Sequence, residues 1–150
     1  MEDRVEKRIE IAAPRARVWQ ALTDSREFGE WFKVKLDGPF VVGETVGGYI
    51  THPGYEHLRM EVTVTAIEPM TRFAYTWHPY AVDPKVDYSG ETQTLVEFRL
   101  GVTTTGTLLM VTESGFAQLP PGRYAEAFRM NSGGWEQQMK QVEAYVRAQA

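Results

Sequence analysis

The chain contains no cysteine. That removes disulfides, thiolate metal sites and cysteine nucleophiles together, and it suits a reducing compartment. No stretch approaches the roughly 20 apolar residues needed to span a bilayer, and the start, MEDRVEKRIEI, has no apolar run behind its charges. The expectation is an unsecreted, cytoplasmic protein with no membrane partner. Basic blocks are missing as well: the formal charge is -4, with acidic and basic residues interleaved, so nucleic acid is not an expected partner. Histidine is scarce. His52 and His57 lie five apart, not at the four-residue spacing that puts two imidazoles on one helical face, and no metal site is assigned. His78, beside Trp77 at a strand end, suits a hydrogen-bonding role at a rim. G-x-S-x-G is absent, and VGGYI (46–50) has neither G-x-G-x-x-G nor a P-loop lysine. No catalytic residue and no cofactor is assigned.

Aromatic residues are plentiful, making up 12% of the chain and including four tryptophans. They imply either a bulky core or an apolar cavity lined by rings. A chain of 150 residues fits one domain, 1–150, able to bury roughly 70% of its unfolded surface.

Hydrophobic period sets the order of elements. Ile9 and Ile11 alternate with polar neighbours as a half-buried strand does. Pro14 has the preset φ of a helix start, and Val18, Trp19 and Leu22 follow at helical spacing. Asp24 with Glu27 three residues later predicts a capping box for a second helix carrying Phe28, Trp31 and Phe32. Val34 to Leu36 is a short strand, and Asp37-Gly38-Pro39 a turn. Gly47-Gly48 weakens the strand VGGYIT unless a bulge or a close backbone approach requires it. Met60, Val62 and Val64 make one face of the next strand; Phe73, Tyr75 and Trp77 make one face of the strand after it. Residues 80–91 read as a long irregular connection, mobile at its tip and suited to binding. A hairpin follows, with Thr94, Val96, Phe98 and Leu100 on one arm and Leu109 and Val111 on the other. Beyond Pro120-Pro121 the chain is helical by propensity almost to its end, with Trp135, Met139, Val142 and Val146 on one face. The sum is an α+β architecture: about six to seven antiparallel strands, two short helices after the first, and a long terminal helix.

Taken together, AAPRARVWQALTD, EFGEWF, VGGYI, RFAYTW, LVEFRL, TLLMVTESGF and GGWEQQMKQVEAYV resemble the activator-of-Hsp90-ATPase-like branch of the START-related, Bet v 1-like superfamily. The resemblance runs from about Val5 to Val146. It implies the helix-grip fold, a curved antiparallel sheet around the terminal helix, with an apolar cavity between them. It further implies that Trp31 ends the second helix beside the cavity mouth, and that at Gly134-Trp135 a small residue lets helix and sheet approach while the indole packs inward.

The candidate ligand-binding residues are Trp31, Phe32, Tyr49, Met60, Phe73, Tyr75, Trp77, Phe98, Glu113, Trp135 and Met139. Plain core packing is the alternative for every ring in that set. Glu113 shares strand parity with Leu109 and Val111 and so points toward the apolar face, where a carboxylate needs a partner; alternatively the strand ends early and Glu113 reaches water. Glu113 and Tyr75 are the expected polar anchors, with the Trp31 region and residues 80–91 as the gate. The preferred reading is a domain that binds an apolar or aromatic small molecule without catalysis. An interaction module for a chaperone or another protein is the second, although the co-chaperone form usually carries a further N-terminal domain. A cyclase or hydrolase-like enzyme is the third. The exposed sheet edges allow either a monomer or a homodimer.

Overall fold

A computed structural model describes residues 3–83 and 85–148. Its elements, in chain order, are β1 (Arg4–Ile11), α1 (Arg15–Thr23), α2 (Ser25–Phe32), β2 (Val34–Leu36), β3 (Thr45–Ile50), β4 (Arg59–Glu68), β5 (Arg72–Trp77), β6 (Thr94–Val102), β7 (Thr107–Ser114) and α3 (Pro121–Ala148), with a 3₁₀ turn at Phe116–Gln118. The seven strands form one antiparallel sheet in the order β1-β7-β6-β5-β4-β3-β2. This is the expected α+β helix-grip arrangement: a curved sheet on one side, with two short helices and the long α3 gathered against it.

Local chemistry explains the boundaries. Pro14 is the residue before α1 and not its first, with extended ψ of 148°, whereas Pro121 opens α3, where its missing N–H is no loss. Asp24 caps α2 through Oδ1, which accepts from the N–H groups of Arg26 and Glu27 at 2.9 and 3.2 Å. The reciprocal half of the expected capping box is not made. Glu27 turns inward instead, is 2% exposed, and gathers groups from the two other helices. Gln20 of α1 donates to its Oε2 at 2.5 Å, Tyr145 of α3 donates to Oε1 at 2.9 Å, and Arg17 Nη1 lies 2.8 Å from Oε1. That nitrogen is out of line for a hydrogen bond, so its attraction to the carboxylate is one of charge.

Between the two alternatives for Gly47-Gly48, the close approach applies at Gly48: a Cβ there would lie 1.9 Å from the carbonyl oxygen of Lys35. The bulge falls on the other flank of β4, between Val64 and Ala66, where the register with β5 shifts and the sheet bends. The concave face carries the core. Val5, Glu113, Val96, Tyr75 and Val64 form one row across five strands, and every one is at least 97% buried. Against this face α3 presents Ala127, Trp135, Met139, Val142 and Val146. A fully buried Val or Met side chain contributes about 1.5–3 kcal/mol, so packing along that face outweighs the roughly 1 kcal/mol that each of Gly133 and Gly134 subtracts from the helix.

Tyr145 carries a measurable consequence. Burial, and then its hydrogen bond to Glu27, push its hydroxyl up to about 12. Because the folded protein holds this proton more tightly than the unfolded chain, stability is full below about pH 10 and declines as pH rises toward 12. Urea unfolding followed from pH 9 to pH 12 should show this decline, with a shallower slope in Tyr145→Phe; equal slopes would sink the assignment.

Candidate functional site

A cavity of about 510 Å³ opens where β5 ends and the chain leaves the sheet. Phe32 of α2, Ile50 of β3, Met60 of β4, Trp77 of β5 and Asn131 of α3 line it, together with Leu58 and described residues of the connection that follows β5, among them His78, Asp83 and Asp87. Aliphatic and aromatic groups make its walls, and the rim is polar. Glu61, Asp83 and Asp87 bring three carboxylates, and Asp87 is held below the usual carboxylate range by hydrogen bonds from the Ser89 backbone and side chain. Arg59 is the one cation among the described lining residues, and it is committed elsewhere, to Asp37 at 2.9 Å and to the face of Tyr49. His78 Nδ1 is buried with no hydrogen-bond partner. A ligand with an apolar body and a donor or positive group suits this lining; an anion does not.

Beside this cavity, and sharing Phe32, Trp77 and Asn131 with it, lies a recess of about 120 Å³ whose other walls are Gly134, Trp135 and Gln138. Behind both stands Glu113, fully buried. Its Oε2 accepts from Trp77 Nε1 at 2.7 Å and from Thr94 Oγ1 at 2.5 Å. Its Oε1 accepts from Asn131 Nδ2 at 2.9 Å and from Trp135 Nε1 at 2.8 Å. All four neighbours are neutral donors, which match the acceptor-only form of the side chain. β7 therefore continues to Ser114 with the buried alternative realised. The carboxylate does not itself line either space; it sets the orientation of three side chains that do.

The other candidates divide by depth. Phe32, Met60 and Trp77 line the larger cavity, and Trp135 lines the recess. Phe73, Tyr75, Phe98 and Met139 are core side chains behind these walls. Phe98 packs on Phe73 at 6.0 Å and on Trp135 at 5.6 Å. The Tyr75 hydroxyl is buried without a partner, and burial, then the charge of Glu113, push its pKa well up. Trp31 is neither wall nor gate. It is 2% exposed, and its Nε1 donates at 2.8 Å to the carbonyl of Ala21, satisfying an end group of α1. Tyr49 lies on the outer face of the sheet, 54% exposed, because Ile50 and not Tyr49 has the inward parity. Contrary to the close approach expected at Gly134, no atom beyond its own helix and chain neighbours lies within 4 Å of a Cβ built there; Trp135 does pack inward, 3% exposed.

The connection over the cavity is fastened. Arg123, in the first turn of α3, donates to both carboxylate oxygens of Glu91 at 3.1 and 3.2 Å, to the Tyr80 carbonyl at 3.1 Å and to the Pro79 carbonyl at 2.6 Å. Its guanidinium also lies 4.6 Å from the centre of the Tyr88 ring. Sequence reasoning did not single out Arg123. Arg123→Ala should lower the local opening energy by about 2 kcal/mol, seen as roughly thirtyfold faster exchange of the Val86 and Glu91 amides, which bond to Asp83 and Tyr88 carbonyls within the loop. Unchanged exchange at both would mean that the loop holds itself.

Among the described residues, no group of three or more His, Asp or Glu side chains is placed to hold a metal ion, and no helix is long and apolar enough to cross a membrane.

The model of a family described as Activator of Hsp90 ATPase homolog 1-like protein matches residues 12–147. No curated protein matches the chain. Among solved structures, protein MLL2253 from Mesorhizobium loti is 27% identical, with a TM-score of 0.77 over 98% of each chain. The Aha1 dimer from Colwellia psychrerythraea is 18% identical, with a TM-score of 0.72 over 97% of this chain and 96% of that one. DynU16, from the dynemicin biosynthetic locus, is 23% identical with a TM-score of 0.74; the match covers 98% of this chain and 48% of DynU16. The last two likenesses concern the fold alone.

Proposed function

We propose that this chain, which belongs to the Activator of Hsp90 ATPase homolog 1-like family, acts in the cytoplasm as a binding domain for a small molecule with an apolar or aromatic body and a hydrogen-bond donor or positive charge at one end. One observation carries the reading: a cavity of about 510 Å³ with apolar walls, an acidic rim and the unpartnered His78 Nδ1 among its lining. Its volume is within the range of small-molecule sites, roughly 300–1,000 Å³, and the few polar groups on apolar walls match their usual make-up. The four bonds to Glu113 hold Trp77, Asn131 and Trp135 in place before any ligand arrives, which reduces the ordering that binding would otherwise require. No catalytic step is included.

Native mass spectrometry of protein purified from its own host should reveal a retained small molecule, and Leu58→Trp, which fills the larger cavity, should abolish its retention. A protein that is empty in every preparation would overturn the reading.

A second reading, a chaperone or other protein partner or a second copy of the chain, is favoured by Val41, Val42 and Tyr49, which are 40–54% exposed. A stoichiometric partner recovered equally well with Leu58→Trp would support it.

A further inference from the structure

The 120 Å³ recess has three properties that its place in the fold does not explain. The first is Gly134. A glycine inside a helix lowers stability relative to alanine, and such a residue is ordinarily retained for a close contact or an unusual backbone angle. Neither applies: its φ is not in the left-handed region, and a Cβ at this position would meet nothing within 4 Å beyond its own helix and chain neighbours; the same holds for Gly133, but of the two only Gly134 lines the recess. The second is Gln138, one turn further along α3, whose Oε1 is buried without a hydrogen-bond partner and which lines the recess. A buried polar atom in this state costs free energy until something bonds to it. The third is the wall opposite, made by the rings of Phe32, Trp77 and Trp135, with Trp77 and Trp135 5.8 Å apart and tilted by 32°.

From these we infer that the recess is an aromatic-ring subsite, which takes one six-membered ring bearing a hydroxyl or N–H group and pairs that group with the Gln138 side-chain amide. The recess is somewhat smaller than the cavity of about 150 Å³ that accommodates benzene, but it is not closed, and three shared residues join it to the larger cavity, so a ring can seat there with its edge toward that space. The inference rests on the proposed binding function and sharpens it. The ligand's ring end lies in the recess against Trp77 and Trp135, and the remainder of the molecule extends past Phe32 and Asn131 into the larger cavity. Gly134 is the residue that keeps the ring's place clear. A hydroxyl suits Gln138 particularly well, because it can donate to the amide oxygen or accept from the amide nitrogen.

Phenol and toluene, which differ by a hydroxyl in place of a methyl, are the probes. Each is titrated into the full-length ¹⁵N-labelled protein while the indole N–H signals of Trp77 and Trp135 are followed. Phenol should bind about tenfold more tightly than toluene, the equivalent of one hydrogen bond. Gln138→Leu should abolish that preference. Gly134→Leu should weaken phenol by tenfold or more while melting no lower than the parent protein, and Gly133→Ala, whose residue lines neither space, should bind phenol as the parent does. Equal binding of the two probes, no binding of phenol, or phenol binding indifferent to Gly134→Leu would each overturn the subsite. Phenol binding lost in Leu58→Trp but kept in Gly134→Leu would overturn the subsite and leave the larger cavity as the binding site. A retained natural ligand in the parent protein tests the larger cavity separately.

Discussion

Glu113→Leu should lower the stability of the fold by about 4 kcal/mol, the largest effect expected from any single substitution at the site. The replacement is close in bulk and removes both acceptor oxygens, stranding two indole N–H groups, a carboxamide and a hydroxyl. A buried donor left unsatisfied costs about 1–3 kcal/mol. Four such penalties do not simply add here, because Trp77 and Asn131 also line an open cavity and can turn to water. Glu113→Gln is the finer probe. It keeps one oxygen for one pair of donors and turns an NH₂ toward the other pair, so a loss of about 2 kcal/mol is expected. Urea unfolding of both variants gives the numbers. A Gln variant as stable as the parent would show that the four contacts do not act as one network, and that the walls of the cavity are fixed by ring packing alone.

The second large effect is expected at Glu27. Truncation to alanine removes the acceptor for Gln20 and Tyr145 and leaves Arg17 without its opposite charge. Removing one partner of a buried ion pair commonly costs about 3–5 kcal/mol. The Arg17 side chain is 22% exposed and keeps access to water, which places the expected loss near the lower end, at about 3 kcal/mol. The same variant should bring the Tyr145 hydroxyl back toward the ordinary tyrosine value, because one of the causes of its upward shift is gone. Equilibrium unfolding at neutral pH and a tyrosine titration therefore test one claim from two directions. An unchanged Tyr145 titration would mean that burial and Glu30, without Glu27, perturb that hydroxyl.

The two carboxylates also show what the sequence makes legible. Strand parity pointed Glu113 inward but left open an early end to the strand, and the unbroken course of β7 to Ser114 decides between the two. Its partners were less visible. Trp77 and Thr94 belong to separate strands that meet only when β5 and β6 pair in register. Asn131, however, stands four residues before Trp135, and Gln138 three residues after it. That is the spacing of one helical face, a signal present in the chain but hidden by the polarity of the two outer members. The spacing Asp24-x-x-Glu27 suggested a local partnership, and the cap half of it is real. The other half was taken over by tertiary partners, Arg17 and Tyr145, which no local rule includes. Residues 78–89 have no period at all, so the place of the described ones at the cavity and the tie of Pro79, Tyr80 and Tyr88 to Arg123 required the fold. Trp31 and Tyr49 were misplaced for complementary reasons. The indole N–H of Trp31 found a helix-end carbonyl in the core, and the parity of β3 faces Tyr49 outward.

Arg123 and the α3 residues bonded to Glu113 and Glu27, namely Asn131, Trp135 and Tyr145, divide that helix mechanically. Its first thirteen residues have Ala127 as their one buried side chain among those described, whereas the second half has Trp135, Met139, Val142 and Val146, the last of these one residue from Tyr145 and its bond to Glu27. The helix is thus a cantilever, clamped at its far end and only fastened at its near one. Amide exchange along α3 should grade accordingly. Release of the near end would uncover the mouth of the cavity while the clamped end kept the sheet closed.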